Sequence, residues 1–77
     1  MRYEELDQVL LSKDLPEHGL RTGDLGTVVM VYEPDGIEVE FVRVSGKTQA
    51  LVTLRVDDVR SVGEEDLVTM RTPDEPD

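Results

Sequence analysis

The chain has 77 residues, with 18 acidic side chains against 8 basic ones and a formal net charge of −10. This length allows one small domain, and the absence of cysteine excludes disulfides, thiolate metal sites and cysteine nucleophiles. Half of the excess negative charge lies in residues 63–77, and a field of this sign disfavours nucleic acid and anionic lipid and favours basic protein surfaces.

The first predicted element is a short apolar strand over residues 8–11, which follows a mostly polar lead-in over residues 1–7 that we expect to be loosely held. A long loop is predicted next, over residues 12–22, because a proline and a glycine interrupt it. Leu15 and Leu20 are the two apolar residues of this loop, and we expect them to fold back and cover the core.

A hairpin is the most regular part of the pattern. Gly23 and Gly26 bracket a turn that needs a positive φ or close backbone packing, and a strand rich in β-branched residues is predicted over residues 25–32. After a proline- and glycine-containing turn at residues 33–36, apolar residues alternate with two glutamates over residues 37–41. This period of two predicts a strand with one buried and one wet face.

The fourth predicted strand covers residues 48–54 and follows a turn at residues 45–47. Its sequence allows two registers. One of them turns only apolar side chains towards the core, namely Ala50, Val52 and Leu54. We prefer this register, which leaves Leu51 exposed beside Val42 on the outer face.

One turn of 3₁₀ helix over residues 55–58 and a short strand through Val59 and Val62 complete the predicted elements. Five short strands, a long first loop and a 3₁₀ turn before the last strand describe an all-β, small five-stranded SH3-like barrel over residues 1–62. An OB-type barrel usually needs a longer chain and a helix between strands. Residues 63–77 then form an acidic C-terminal tail.

Four stretches together resemble a family of small bacterial proteins of unknown function: Asp14 to Leu20, Gly23 to Val29, Val39 to Phe41 and Leu51 to Leu54. The resemblance covers about residues 6–62. It implies an SH3-like barrel in a stand-alone cytoplasmic protein without an assigned activity. The Gly-x-x-Gly-Thr-Val start is also similar to KOW domains and to the barrel of nitrile hydratase β subunits. Fold likeness does not deliver function.

Neither a catalytic residue nor a metal or cofactor site is predicted. His18 is the only histidine, and a loop position explains it more simply than an acid/base or metal-ligand role. Five carboxylates could gather at one end of the barrel and hold a hard cation: Asp14, Glu17, Asp24, Asp57 and Asp58. Turn capping explains the last two more simply.

The sequence favours a non-catalytic protein-interaction module, expected in the cytoplasm because it has no apolar run that could span a bilayer and no signal-peptide pattern. The expected partner is a basic protein, captured as an antitoxin or immunity protein captures its target. The candidate contact residues are Leu15, Glu17, His18, Leu20, Tyr32, Glu38, Glu40, Val42 and Leu51. Solubility alone is the competing explanation of the charge.

Two further hypotheses stay open at this stage. The chain could be a structural subunit or homo-oligomeric scaffold of a larger enzyme assembly, with self-association through a free sheet edge. Direct nucleic-acid binding by a KOW-like module is disfavoured, because the basic residues are scattered among more numerous acids and few aromatic residues are present for base stacking.

Overall fold

A computed structural model describes residues 2–42 and 49–63 of the chain. Of Gln49 it describes the backbone but not the side chain. The five strands are β1 (Gln8–Leu11), β2 (Leu25–Tyr32), β3 (Gly36–Val42), β4 (Gln49–Arg55) and β5 (Val59–Ser61). Two 3₁₀ turns lie at Pro16–His18 and Val56–Asp58. The all-β class, the five strands and the 3₁₀ turn before the last strand are confirmed. The predicted turn at residues 45–47 and residues 64–77 of the predicted tail lie outside the described residues.

All strand pairs are antiparallel, and the order across the single sheet is β4-β3-β2-β1-β5. Within the described residues no ladder joins β4 to β5, so the sheet is unclosed. Closure into an SH3-like barrel therefore stays a prediction. Among residues 2–42 and 49–63, the end strands of this order, β4 and β5, are the edges of the sheet.

The main core cluster contains strand residues that point to the same side of the sheet. Leu10 of β1, which points to the other side, is buried as well. The buried cluster consists of Tyr3, Val9, Leu11, Leu15, Leu20, Val28, Ile37, Val39, Phe41, Val52, Leu54, Val56 and Val59. Ala50 and Val31 pack against it while partly buried. The preferred register of the fourth strand is thus confirmed, with Leu51 and Thr53 on the exposed face.

The two glycines at the start of β2 serve different purposes. Gly23 has a φ of +92°, which side chains rarely adopt, and it has open space around it. Gly26 is needed for packing, because a Cβ there would lie 2.5 Å from Val39 Cγ1 and 2.8 Å from Phe41 Cε1. Both requirements expected of this turn are therefore present, one at each glycine.

A β-bulge in β2 changes which residues of that strand face the core. Val28 pairs with Val39, but Met30 pairs with the next residue of β3, Glu38, so Val29 is the extra residue. Beyond the bulge, Val31 packs against the core and Met30 lies on the outer face. A strict alternation from Val28 would have produced the opposite arrangement.

The lead-in is tied to the sheet, which corrects the expectation that residues 1–7 are loosely held. Tyr3 is buried in the core. The Leu6 amide donates to the Val28 carbonyl at 2.7 Å, and the Val28 amide donates to the Asp7 carbonyl at 2.8 Å. Two backbone hydrogen bonds to β2 and one aromatic anchor hold a segment whose composition looked mostly polar.

Candidate functional site

The outer face of β2, β3 and β4 combines exposed apolar side chains with two glutamates. Met30 and Val42 are each 47% exposed, Tyr32 is 41% exposed and Leu51 is 57% exposed. Glu38 and Glu40 lie half-buried among them on β3. We call this set the outer-face patch: Met30, Tyr32, Glu38, Glu40, Val42 and Leu51.

The strand register determines how the outer-face patch is arranged. Glu38 lies between Met30 of β2 and Thr53 of β4 in the ladders. Glu40 lies between Thr27 and Leu51 in the same way. Directly opposite residues of an antiparallel pair have Cβ atoms about 5 Å apart, so each carboxylate is flanked by an apolar side chain.

Hydrogen bonds hold one of the two carboxylates in place. The Tyr32 hydroxyl donates to Glu38 Oε1 at 2.8 Å, and the Thr53 hydroxyl approaches the same oxygen at 3.4 Å. The hydrogen bond to Glu38 raises the pKa of the Tyr32 phenol, with smaller contributions from desolvation and from the charge of Glu38. Tyr32 therefore presents its ring beside a negatively charged, oriented acceptor.

Two arginines of the described part of the chain form ion pairs with aspartates that are not in the patch. Arg55 forms an ion pair with Asp35 at 3.0 Å, and Arg2 forms one with Asp57 at 3.0 Å. No described residue forms a hydrogen bond or an ion pair with the Glu40 carboxylate. The patch can accept a positively charged group beside its apolar side chains.

Leu15 and Leu20 do not belong to this surface, although both were candidate contacts. The amide of each donates to the carbonyl of the other, at 2.9 and 3.1 Å, and both side chains are buried in the core. The expectation that they cover the core is confirmed. We therefore remove both leucines from the contact surface, because a partner cannot reach them.

Glu17 and His18 are exposed on the first 3₁₀ turn, in the loop between β1 and β2. Gly19 ends this turn with a φ of +69° and donates its amide to the Pro16 carbonyl at 3.1 Å. His18 thus occupies a loop position, and the two side chains lie on a different element from the five strand candidates. Their role as partner contacts stays a prediction.

Three of the five carboxylates considered for a cation site bind nearby backbone groups. Asp14 accepts from the Thr22 amide at 2.9 Å and from its hydroxyl at 3.0 Å, and these hydrogen bonds lower the pKa of Asp14. The buried Asp24 accepts from the Arg21 amide at 3.0 Å, and Asp58 accepts from the Arg55 amide at 3.0 Å.

Asp58 therefore caps the second 3₁₀ turn, as predicted, whereas Asp57 points to Arg2 instead. Within residues 2–42 and 49–63, no group of three or more histidines and carboxylates is placed to hold a metal ion.

Comparison with known proteins identifies the family of the chain and no individual relative. The model of the family described as Domain of unknown function (DUF4926) matches residues 5–61. The chain belongs to this family. No curated protein and no solved structure gives a match. The predicted resemblance to a family of unknown function is confirmed, while the likeness to KOW domains and nitrile hydratase β subunits stays a prediction.

Among the described residues of this DUF4926 member, no helix has the length and apolar character that crossing a membrane requires.

Sequence reasoning missed two residues of this face, Met30 and Thr53. Met30 is turned outward by the bulge at Val29, and no residue in the strand signals a bulge at that position. Thr53 could have been found, because the chosen register of β4 places it on the outer face, directly opposite Glu38.

Proposed function

We propose that this protein is a non-catalytic interaction module that binds a basic protein partner through the outer-face patch. The observation that carries the proposal is the pairing of exposed apolar side chains with two carboxylates on one continuous face of three strands. Apolar contacts would supply burial, and Glu38 and Glu40 would select cationic side chains and speed the encounter.

The net charge of the chain supports a basic partner for the outer-face patch. The chain carries a net charge of −10, so a basic surface is attracted over the whole approach and an acidic one is repelled. Tyr32 adds an aromatic ring beside the Glu38 carboxylate, an arrangement that suits an arginine or lysine side chain of the partner. Neutralisation of a basic effector, as by an antitoxin or immunity protein, is the biological form we favour.

Fewer observations support the two alternative functions, a structural subunit and a nucleic-acid-binding module. A structural-subunit role is supported only by the distant likeness of the Gly-x-x-Gly-Thr-Val start to the nitrile hydratase β barrel. Nucleic-acid binding would need clustered basic residues, whereas Arg2, Lys13 and Arg55 each lie within ion-pair distance of an aspartate.

The test is affinity purification of tagged protein from its own host, at low and at high salt. Wild-type protein is compared with the double variant Glu38→Gln/Glu40→Gln and with Glu4→Gln/Glu5→Gln, which changes the net charge equally at exposed lead-in positions. We expect a basic protein that is retained at low salt, weakened at high salt and lost only from the first variant.

Retention by all three proteins would show attraction by net charge without a specific face. Recovery of no basic protein at either salt would overturn the proposal. Circular dichroism of both variants establishes that they are folded, so that loss of binding is not loss of structure.

A further inference from the structure

The two edges of the sheet differ in how well they are protected against pairing with another strand. An edge strand presents unpaired backbone N–H and C=O groups, and proteins usually protect it by shortness, charge, proline or a bulge. β5 has three residues, includes the exposed Arg60, and follows directly on a 3₁₀ turn. It is a short and charged edge.

The β4 edge has few of these protections. β4 has seven residues, Gln49–Arg55, without a proline, lysine or carboxylate. Its one charged residue, Arg55, lies at the end of the strand and forms an ion pair with Asp35. Its ladder with β3 runs without a register shift from the pair Gly36–Arg55 to the pair Val42–Gln49, so no bulge twists it away. Leu51 in its middle is 57% exposed. A long, regular edge with an exposed leucine is a template for a further strand.

We propose that β4 pairs antiparallel with β4 of a second copy of this chain and thereby forms a two-fold symmetric dimer. The composition of β4 argues for a second copy at this edge, although the net charge of the whole chain opposes self-association. Two copies with a net charge of −10 each repel wherever carboxylates face each other, but β4 brings none to the contact. A self-complementary edge also satisfies the requirement of a two-fold interface, in which the same residues meet from both sides.

The sequence of β4 indicates the register of the pair. Full overlap of seven residues with themselves centres the contact on Val52, which places Leu51 opposite the partner's Thr53. The two Leu51 side chains are then diagonal neighbours on the outer face, within reach of each other. The leucine that is exposed in one chain gains an apolar contact in the dimer.

This inference does not depend on the proposed function, and salt separates the two. Salt screens the repulsion between two acidic copies and tightens the dimer, whereas salt weakens the capture of a basic partner. The outer faces of both copies would lie side by side in one continuous sheet, so dimerisation leaves the outer-face patch of each copy accessible except at Leu51, where the two chains meet.

Sedimentation velocity over micromolar concentrations tests the dimer with two matched variants. Leu51→Lys places a charge at the edge strand, and Met30→Lys makes the same charge change on the same face of β2, which is not an edge. We expect twice the monomer mass for wild type and for Met30→Lys. Leu51→Lys should raise the dissociation constant by about tenfold or more, because the contact of an apolar side chain is lost.

A wild-type chain that stays monomeric at every concentration and salt would overturn the proposal. Equal weakening by both variants would place the contact on the face of the sheet instead of the edge and would also overturn it. Amide hydrogen exchange gives a second readout: amides of residues 49–55 should exchange more slowly as concentration rises, whereas those of residues 59–61 at the other edge should not change.

Discussion

The two faces of β2, β3 and β4 are formed by the same strands but differ in how deeply their side chains are buried. On the inner face, Ile37, Val39 and Phe41 are completely buried. On the outer face of the same strand, Glu38 and Glu40 are half-buried and Val42 is largely exposed. Consecutive residues of one strand therefore experience opposite environments, and substitutions on the two faces should affect different properties.

The comparison separates what holds the molecule together from what it offers to other molecules. The inner face is close-packed, so the removal or addition of one methyl group there changes the stability of the fold. The outer face is stabilised by cross-strand contacts that tolerate substitution, such as the hydrogen bond between Tyr32 and Glu38. Inner-face variants should therefore lower stability, and outer-face variants should alter binding or titration while leaving the fold intact.

The largest contrast is expected between two neighbouring residues of β3. Phe41→Ala removes a fully buried ring and should lower the free energy of unfolding by about 3–5 kcal/mol. Val42→Ala, one residue further and on the outer face, should cost about 0.5 kcal/mol or less. Urea denaturation followed by circular dichroism measures both. Similar losses for the two variants would contradict the assignment of the faces.

The two glycines of the turn before β2 give a smaller and more specific contrast. Gly26→Ala should lower the free energy of unfolding by about 1–3 kcal/mol, because the new methyl group collides with Val39 and Phe41. Gly23→Ala meets open space, and its cost of about 1 kcal/mol comes from the positive φ.

A second substitution distinguishes the two causes. Val39→Ala removes the atom nearest to the new methyl group at position 26. The double variant should therefore lose less free energy of unfolding than the two single variants lose together. No such coupling is expected between Gly23→Ala and Val39→Ala. Additive effects in both pairs would mean that steric collision is not the reason for a glycine at position 26.

The alternation of the sequence was sufficient to predict the faces of β3 and β4. Apolar and acidic residues alternate without interruption from Ile37 to Phe41 in β3, and only one register of β4 buries apolar side chains alone. For this reason the sequence alone predicts that Glu38, Glu40 and Leu51 lie on the outer face, with Val42 beside Leu51. The alternation of apolar and polar residues is a local property of the sequence, and it predicts the two faces of a strand correctly where the ladder is regular.

The remaining features depend on contacts that local pattern does not encode. The bulge at Val29 reverses the alternation of β2, and the residues of that strand do not mark its position. The lead-in is held by hydrogen bonds of Leu6 and Asp7 to Val28 of β2, which is distant in the sequence, and by the burial of Tyr3. Leu15 and Leu20 were correctly expected over the core, and that same burial excludes them as contacts.

The smallest expected effect on stability lies on the outer face, where the main change is in the titration of Tyr32. Glu38→Gln replaces the charged acceptor of the Tyr32 hydroxyl by a neutral one, so the raised pKa of Tyr32 should fall towards its ordinary value of about 10. Because the folded-state pKa is the higher one, this hydrogen bond stabilises the fold at pH values below about 10 and ceases to do so as pH rises through the folded-state pKa.

Ultraviolet absorbance of ionised tyrosine measures this titration, and Tyr32→Phe identifies which of the two tyrosine transitions belongs to Tyr32. In Glu38→Gln that transition should move to lower pH, while the urea midpoint at neutral pH should fall only slightly, because the side-chain oxygen of glutamine still accepts from the Tyr32 hydroxyl. A Tyr32 transition at the same pH in wild type and variant would mean that the hydrogen bond does not persist in solution. The outer face would then present an unoriented carboxylate, and the selection of a cationic partner by Glu38 would lose its structural basis.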